Sequence, residues 1–214
     1  MRTEQLILAL ATNANSERLP SVRTLISASL AIAVAISFLL MVKLLPIRAD
    51  IATAVALPMF WVKLGFSGVI AAACLPLVFR LARPGASLGA APLWIAVPIV
   101  GMWILGASDL AVADRSEWPR LILGKTWAVC PFLITMLATP VFIATFRALR
   151  EFAPTQLRAT GATAGLLSGA LGAFVYSIHC PEMEPAFLGT WYFLGMAIPA
   201  IAGYLVAPRL LRWS

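Results

Sequence analysis

Six apolar segments constrain the fold of this chain more than any other feature. A helix that crosses about 30 Å of hydrocarbon needs about 20 largely apolar residues, because its backbone polar groups must find partners within the helix. The segments cover residues 24–45, 57–79, 91–111, 126–146, 159–179 and 187–207. The sequence therefore predicts an all-α integral membrane protein, with residues 1–23 as a short N-terminal segment and residues 24–214 as a six-transmembrane-helix bundle.

Composition supports this prediction and excludes an ordinary soluble domain. Of the residues, 61% are hydrophobic and 12% are charged, whereas soluble domains carry about 25% charged residues. In a soluble protein the net charge of +7 would suggest a nucleic-acid partner. In a membrane protein the position of each charge matters more than the sum. We therefore expect contact with the lipid bilayer and no direct binding of nucleic acid.

Basic residues collect on one side of the predicted bundle. With the N-terminus in the cytoplasm, ten basic and three acidic residues lie inside, whereas four basic and six acidic residues lie outside. Cytoplasmic segments of membrane proteins carry an excess of Lys and Arg. Both termini are therefore predicted to be cytoplasmic. The ten inside residues are Arg2, Arg18, Arg23, Arg80, Arg83, Arg147, Arg150, Arg158, Arg209 and Arg212.

Lys63 is the most notable ionisable residue within a predicted span. It lies about two turns inside the second span, where an isolated charge is costly. We expect its ammonium group to reach toward the membrane surface or to pair with an outer acid such as Asp109 or Glu182. The sequence contains no HExxH, GxSxG or P-loop motif and no carboxylate pair within a span. We therefore predict that the protein is not an enzyme.

The three cysteines are predicted at different ends of the bundle, two at one end and one at the other. Cys130 and Cys180 are predicted on the outer side, and Cys74 lies near the inner side. Counted along spans four and five, Cys180 lies about five residues further out than Cys130, so a contact between them requires tilting or unwinding at Pro131.

Two chemistries are open to these thiols if they meet, and inert burial is the third alternative. An oxidising compartment permits a disulfide, whereas a reduced pair could bind a soft metal ion such as zinc or cadmium. His179 is the single histidine of the chain, and with Glu182 it would complete a ligand set with Cys130 and Cys180.

Small residues recur at four-residue spacing in span five, at Gly161, Gly165, Gly169 and Ala173. Such a face lets helix backbones approach closely. We expect it to pack tightly, either within the bundle or between chains of an oligomer.

The N-terminal segment contains a short apolar pattern. Thr3 can cap a helix in which Leu6, Ile7 and Leu10 share a face. This helix is predicted to lie on the inner leaflet or to dock on a protein partner.

An ordered set of segments extends over nearly the whole chain. The most specific are Phe60-Trp61-Val62-Lys63-Leu64 and His179-Cys180-Pro181-Glu182. The set also includes Arg80-Leu81-Ala82-Arg83-Pro84-Gly85, Trp127, Cys130, Leu149-Arg150, Ala153-Pro154-Thr155, the glycine-rich residues 165–173 with Tyr176, Trp191-Tyr192 and residues 208–213. With these segments the chain resembles the NrsF family of bacterial membrane proteins.

The resemblance implies an anti-sigma factor of the bacterial inner membrane. Such a protein holds an extracytoplasmic-function sigma factor at the membrane and releases it on stress. In that family two periplasmic cysteines are implicated in the response, and they correspond to Cys130 and Cys180. The resemblance does not identify the sigma-binding residues, so Leu6, Ile7 and Leu10 are named only from the apolar pattern. The alternatives are a small metal or cation transporter that uses Lys63 and the cysteines, and a scaffold subunit of a membrane complex.

Overall fold

Six long helices make up most of the chain in a computed structural model, which describes residue 3, residues 22–152 and residues 154–212. Each is long and apolar enough to cross a membrane, as the sequence predicts. They are α1 (Val22–Leu44), α2 (Pro58–Leu81), α3 (Ala91–Val112), α4 (Cys130–Arg150), α5 (Leu157–Tyr176) and α6 (Pro185–Leu210). The predicted N-terminal helix with Leu6, Ile7 and Leu10 lies outside the described residues.

Short helical turns fill two of the loops. One covers Ile51–Ala54, and the loop before α4 contains the 3₁₀ turn Arg115–Glu117 and the helix Trp118–Leu123. Near its start α6 widens into a π-helical turn, Leu188–Tyr192. The indole of Trp103 in α3 donates a hydrogen bond to the Gly189 carbonyl in this turn, at 2.8 Å. The π turn therefore fixes α3 against the start of α6.

The predicted bounds of spans four and five were wrong by up to four residues, and the error matters for the cysteines. Span four was predicted at 126–146 but begins at Cys130, because Pro131 occupies the first turn, where its missing N–H costs no hydrogen bond. Span five was predicted to run to residue 179 but ends at Tyr176. The chain after Tyr176 continues in a helical type of turn to Cys180, whose amide donates to the Tyr176 carbonyl at 3.0 Å. The predicted five-residue offset nevertheless does not keep Cys130 and Cys180 apart, because the two side chains meet.

α5 is the central helix of the bundle, and its glycine face lets the neighbouring helices approach closely. It packs against α6, α4 and α2, with a smaller contact to α1. A Cβ atom added at Gly165 would collide with the Pro199 carbonyl of α6, and one at Gly172 would lie 2.8 Å from the Ile134 carbonyl of α4. The predicted tight packing of span five is confirmed, and its backbone contacts lie within one chain.

The alternating helices give the bundle two chemically different ends. The end formed by residues 45–57, 113–129 and 177–184 contains both Cys130 and Cys180, and we call it the thiol end. The opposite end is formed by residues 82–90, 151–156 and 211–212, and we call it the arginine end. Its described basic residues are Arg80, Arg83, Arg147, Arg150, Arg158, Arg209 and Arg212.

We predict that Gly165→Ala lowers the free energy of unfolding by about 1–3 kcal/mol, because the new methyl group forces α5 away from the α6 backbone. Gly65→Ala is the matched control, since a Cβ atom there has no neighbour within 4 Å. Unfolding in detergent micelles measures both. Equal stabilities of the two variants would show that the close approach of α5 and α6 does not limit stability.

Candidate functional site: a buried thiol pair

Two thiols meet at the thiol end of the bundle. Cys130 is the first residue of α4, and Cys180 follows the turn after α5. Both are fully buried free thiols, and their side chains lie close enough to interact directly. Cys74 is also buried but belongs to α2, within the span and away from this pair. The prediction that Cys130 and Cys180 separate from Cys74 is confirmed.

Two tyrosines enclose the thiols. Tyr176 ends α5 and Tyr192 ends the π turn of α6; both are fully buried, with ring centroids 5.8 Å apart. Their hydroxyl groups face the sulfur atoms, but among the described residues neither makes a hydrogen bond of ordinary geometry. Because sulfur is a weak hydrogen-bond partner, these hydroxyl groups are polar groups with unused capacity. This role cannot be predicted from the sequence, since aromatic residues in spans normally pack against their neighbours.

Lys63 holds the segment that carries Cys180. Its side chain is fully buried, and its ammonium group donates hydrogen bonds to the carbonyls of Cys180 at 2.7 Å and Glu182 at 2.9 Å. The same group lies 5.2 Å from the centre of the Tyr192 ring, a cation–π distance. Of the two arrangements expected for Lys63, the side chain adopts the first and reaches the loop at the thiol end, and it forms no pair with a carboxylate among the described residues. Lys63 binds main-chain oxygens, which no sequence pattern identifies.

Arg48 supplies a second cation to the same carbonyl. Its guanidinium group donates to the Cys180 carbonyl at 3.4 Å and forms an ion pair with Asp50 at 2.7 Å. The Arg48 side chain is 7% exposed, whereas Asp50 faces water, and the hydrogen bond from Arg48 lowers the pKa of Asp50. Arg48 thereby ties the loop after α1 to the cysteine segment. The sequence placed Arg48 on the outer side but did not single it out.

The predicted four-residue ligand set does not assemble. His179 has its Nδ1 atom 2.6 Å from the Pro46 carbonyl, and the Glu182 carboxylate accepts the Lys125 amide at 2.7 Å. No group of three or more His, Cys, Asp or Glu side chains suited to a metal ion occurs in the described part of the chain. Only Cys130 and Cys180 come together. A soft metal ion at this site remains a prediction, and two thiols are the donors present for it.

The surroundings favour ionisation of one thiol of the pair. The neighbouring Cys130 thiol and the Lys63 ammonium lower the pKa of Cys180, against the opposing effect of burial. Since the two groups share protons, this first deprotonation belongs to the pair. The thiolate is the form that reacts with oxidants and binds metals. Cys180 is therefore the thiol of the pair that loses its proton more readily.

Six helices, each long and apolar enough to cross a membrane, with a buried thiol pair at one end of their bundle, are the architecture of a multi-pass membrane protein. The family described as "Negative regulator of sigma F", NrsF, matches residues 10–213. The chain belongs to this family, which confirms the resemblance found in the sequence. The family consists of regulators rather than enzymes.

Two relatives match over their full length. The chain is 45% identical over 213 residues to the "Probable anti-sigma-F factor NrsF" of Azospira oryzae, with 100% of both chains covered. It is 35% identical over 222 residues to the "Anti-sigma-F factor NrsF" of Caulobacter vibrioides, again with 100% of both covered. No solved structure matches the chain significantly.

We predict that Lys63→Met moves the pKa of Cys180 upward toward its unperturbed value of about 8.5, because the variant removes the nearby positive charge. Titration of the ultraviolet absorbance of the thiolate, with a Cys180→Ser protein as the blank, measures the midpoint. Lys125→Met removes an exposed lysine from the same end and is the matched control. A midpoint unchanged from that of the parent protein would exclude Lys63 as a determinant of thiol ionisation.

Proposed function

We propose that this protein is a membrane-embedded anti-sigma factor. It sequesters an extracytoplasmic-function sigma factor at the bacterial inner membrane and releases it when the Cys130–Cys180 pair changes state. Family membership and the names of both relatives support the anti-sigma role. The observation that carries the sensing role is the enclosed thiol pair, with Lys63 bound to the backbone beside it.

The distribution of charge supports a cytoplasmic arginine end. Arg80, Arg83, Arg147, Arg150 and Arg158 lie there, and positive residues mark cytoplasmic segments. In this orientation both termini and the basic loops face the sigma factor, and the thiols lie toward the periplasm. Signal and partner therefore act on opposite sides of the membrane.

Two signals fit the thiol pair. In the oxidative case the thiols lose two protons and two electrons to a peroxide, which is reduced to water while one S–S bond forms. In the metal case a soft cation such as cadmium displaces the thiol protons and binds both sulfur atoms. Each changes the environment of the Cys180 carbonyl, to which Lys63 and Arg48 are bound.

Coupling requires that the two thiol states differ in their affinity for the sigma factor. A tenfold difference corresponds to about 1.4 kcal/mol. α5 is suited to transmit this difference, because it runs from the Cys180 turn to the arginine end and meets α6 through backbone contacts at Gly161, Gly165 and Gly169. A shift at one end of α5 therefore repositions α6 rather than being absorbed by side chains.

A cation pathway is the weaker alternative. Most described hydroxyl groups buried in the bundle, such as those of Thr145 and Ser168, donate to carbonyls of their own helix. Ser37 bridges α1 and α4 by a second contact to the Leu137 carbonyl. Because these hydroxyl groups are already bound to backbone carbonyls, they favour a packed interior over a conducting path.

We predict that a Cys130→Ser, Cys180→Ser double variant keeps the sigma-dependent promoter silent but loses its response to cadmium or peroxide, because serine neither forms a disulfide nor binds soft metals. A reporter fused to that promoter measures the dose response. Cys74→Ser is the matched control and should respond as the parent does. An unchanged dose response in the double variant would remove this cysteine pair from the mechanism.

We further predict that the full-length protein, solubilised from its native host, co-purifies with a sigma factor identified by mass spectrometry. Deletion of residues 1–16 should release that factor and raise transcription from its promoter, if the N-terminal helix binds it. An abundant membrane protein isolated in parallel controls for carry-over. Absence of any sigma factor, together with a silent promoter in the truncated form, would contradict the anti-sigma proposal.

A further inference from the structure

A cleft opens on the lipid-facing side of the bundle between α1, α2 and α5. Its volume is about 430 Å³ and its walls are almost entirely apolar. α1 and α2 make little contact with each other there, because α2 presents small residues, Gly68, Ala71 and Ala72, toward the gap. A Cβ atom added at Gly68 would lie 3.6 Å from the Phe174 ring, which is an ordinary van der Waals distance.

The cleft continues toward the arginine end. Leu75 lines both the cleft and a second cavity of about 460 Å³, whose other walls include Phe79, Arg80 and Arg83. From Gly68 to Arg80 the helix rises by about 18 Å at 1.5 Å per residue. One leaflet of the hydrocarbon core is about 15 Å thick. The combined groove therefore covers the depth of a single leaflet, and its charged end lies where lipid headgroups lie.

The two arginines are available to an anion. Both are exposed, and neither forms an ion pair with an acidic side chain in the described part of the chain. Arg80 donates one hydrogen bond to the Ser87 carbonyl at 2.9 Å, which turns its guanidinium group toward the loop. Gly89, at φ +56°, leaves room for that group, since an added Cβ atom would lie 3.2 Å from it. Guanidinium groups bind phosphate oxygens through paired hydrogen bonds.

We propose that this groove binds one molecule of an anionic phospholipid, with an acyl chain in the apolar cleft and the phosphate at Arg80 and Arg83. An amphiphile with an acidic headgroup and a chain of one leaflet's length fills both parts of the groove. Free phosphate would satisfy only the arginines, and a zwitterionic lipid would leave their net charge uncompensated. The site is at the opposite end of the bundle from the thiols and does not depend on the sensing proposal.

The test uses the full-length protein in detergent micelles with increasing amounts of dioleoyl phosphatidylglycerol or dioleoyl phosphatidylcholine. We expect phosphatidylglycerol to raise the unfolding temperature by several degrees in a saturable manner, and phosphatidylcholine to have little effect. Native mass spectrometry should find one retained phosphatidylglycerol per chain. Equal stabilisation by both lipids, or equal protection by inorganic phosphate alone, would overturn the proposal.

Two variants address the two halves of the groove. Arg80→Gln with Arg83→Gln should weaken phosphatidylglycerol binding about tenfold, and Ala72→Phe should weaken it by filling the cleft. Arg147→Gln with Arg150→Gln is the matched control, because it removes the same charge from exposed positions at the same end. If the control loses as much affinity as the first pair, the lipid responds only to general surface charge and the site does not exist. If the Arg80 and Arg83 variant does not fold, unchanged binding by Ala72→Phe overturns the proposal on its own.

Discussion

The hydrogen bonds from the buried Lys63 ammonium to the Cys180 and Glu182 carbonyls are the interaction on which the thiol end depends. A charged amine inside a membrane protein is costly unless it has partners. Here two carbonyl oxygens and the face of Tyr192 supply them. Since those carbonyls belong to the segment between α5 and α6, satisfying the lysine fixes the position of Cys180 beside Cys130. The charge and the thiol pair are therefore parts of one arrangement.

The sequence predicts those properties that depend on the composition of one segment, and it does not predict contacts that form only in the folded bundle. Apolar length predicts six spans, and the alternation of sides separates Cys130 and Cys180 from Cys74. The start of α4 at Cys130 was missed because the apolar run continues upstream to residue 126, although Pro131 marks the first turn. Lys63 is held by main-chain oxygens, and Arg48 shares one of them, the Cys180 carbonyl; every residue has such an oxygen. No pattern of residue types distinguishes them, and only the folded turn after α5 identifies them.

The metal-ligand set failed for a related reason. Spacing in the chain brings His179, Cys180 and Glu182 close together, but a turn sends successive side chains in different directions. His179 meets the loop after α1 at Pro46, and Glu182 meets the loop before α4 at Lys125. These contacts are structural, because they tie the other two loops of the thiol end to the Cys180 segment. The residues left facing one another are two cysteines and two tyrosines.

In the proposed mechanism, oxidation and metal binding have a shared electrostatic effect. When Cys180 is ionised, its sulfur is an anionic neighbour for Lys63. A disulfide removes that negative charge, and a bound soft cation neutralises it. In either case the lysine keeps only its carbonyl partners and the Tyr192 ring. The favourable interactions that offset the cost of burying its charge then become weaker. The Cys180 segment connects α5 to α6, and these helices meet through backbone atoms at Gly161, Gly165 and Gly169. Chemically different stresses can therefore drive the same displacement, because the bundle responds to the charge beside Lys63 rather than to the identity of the reagent.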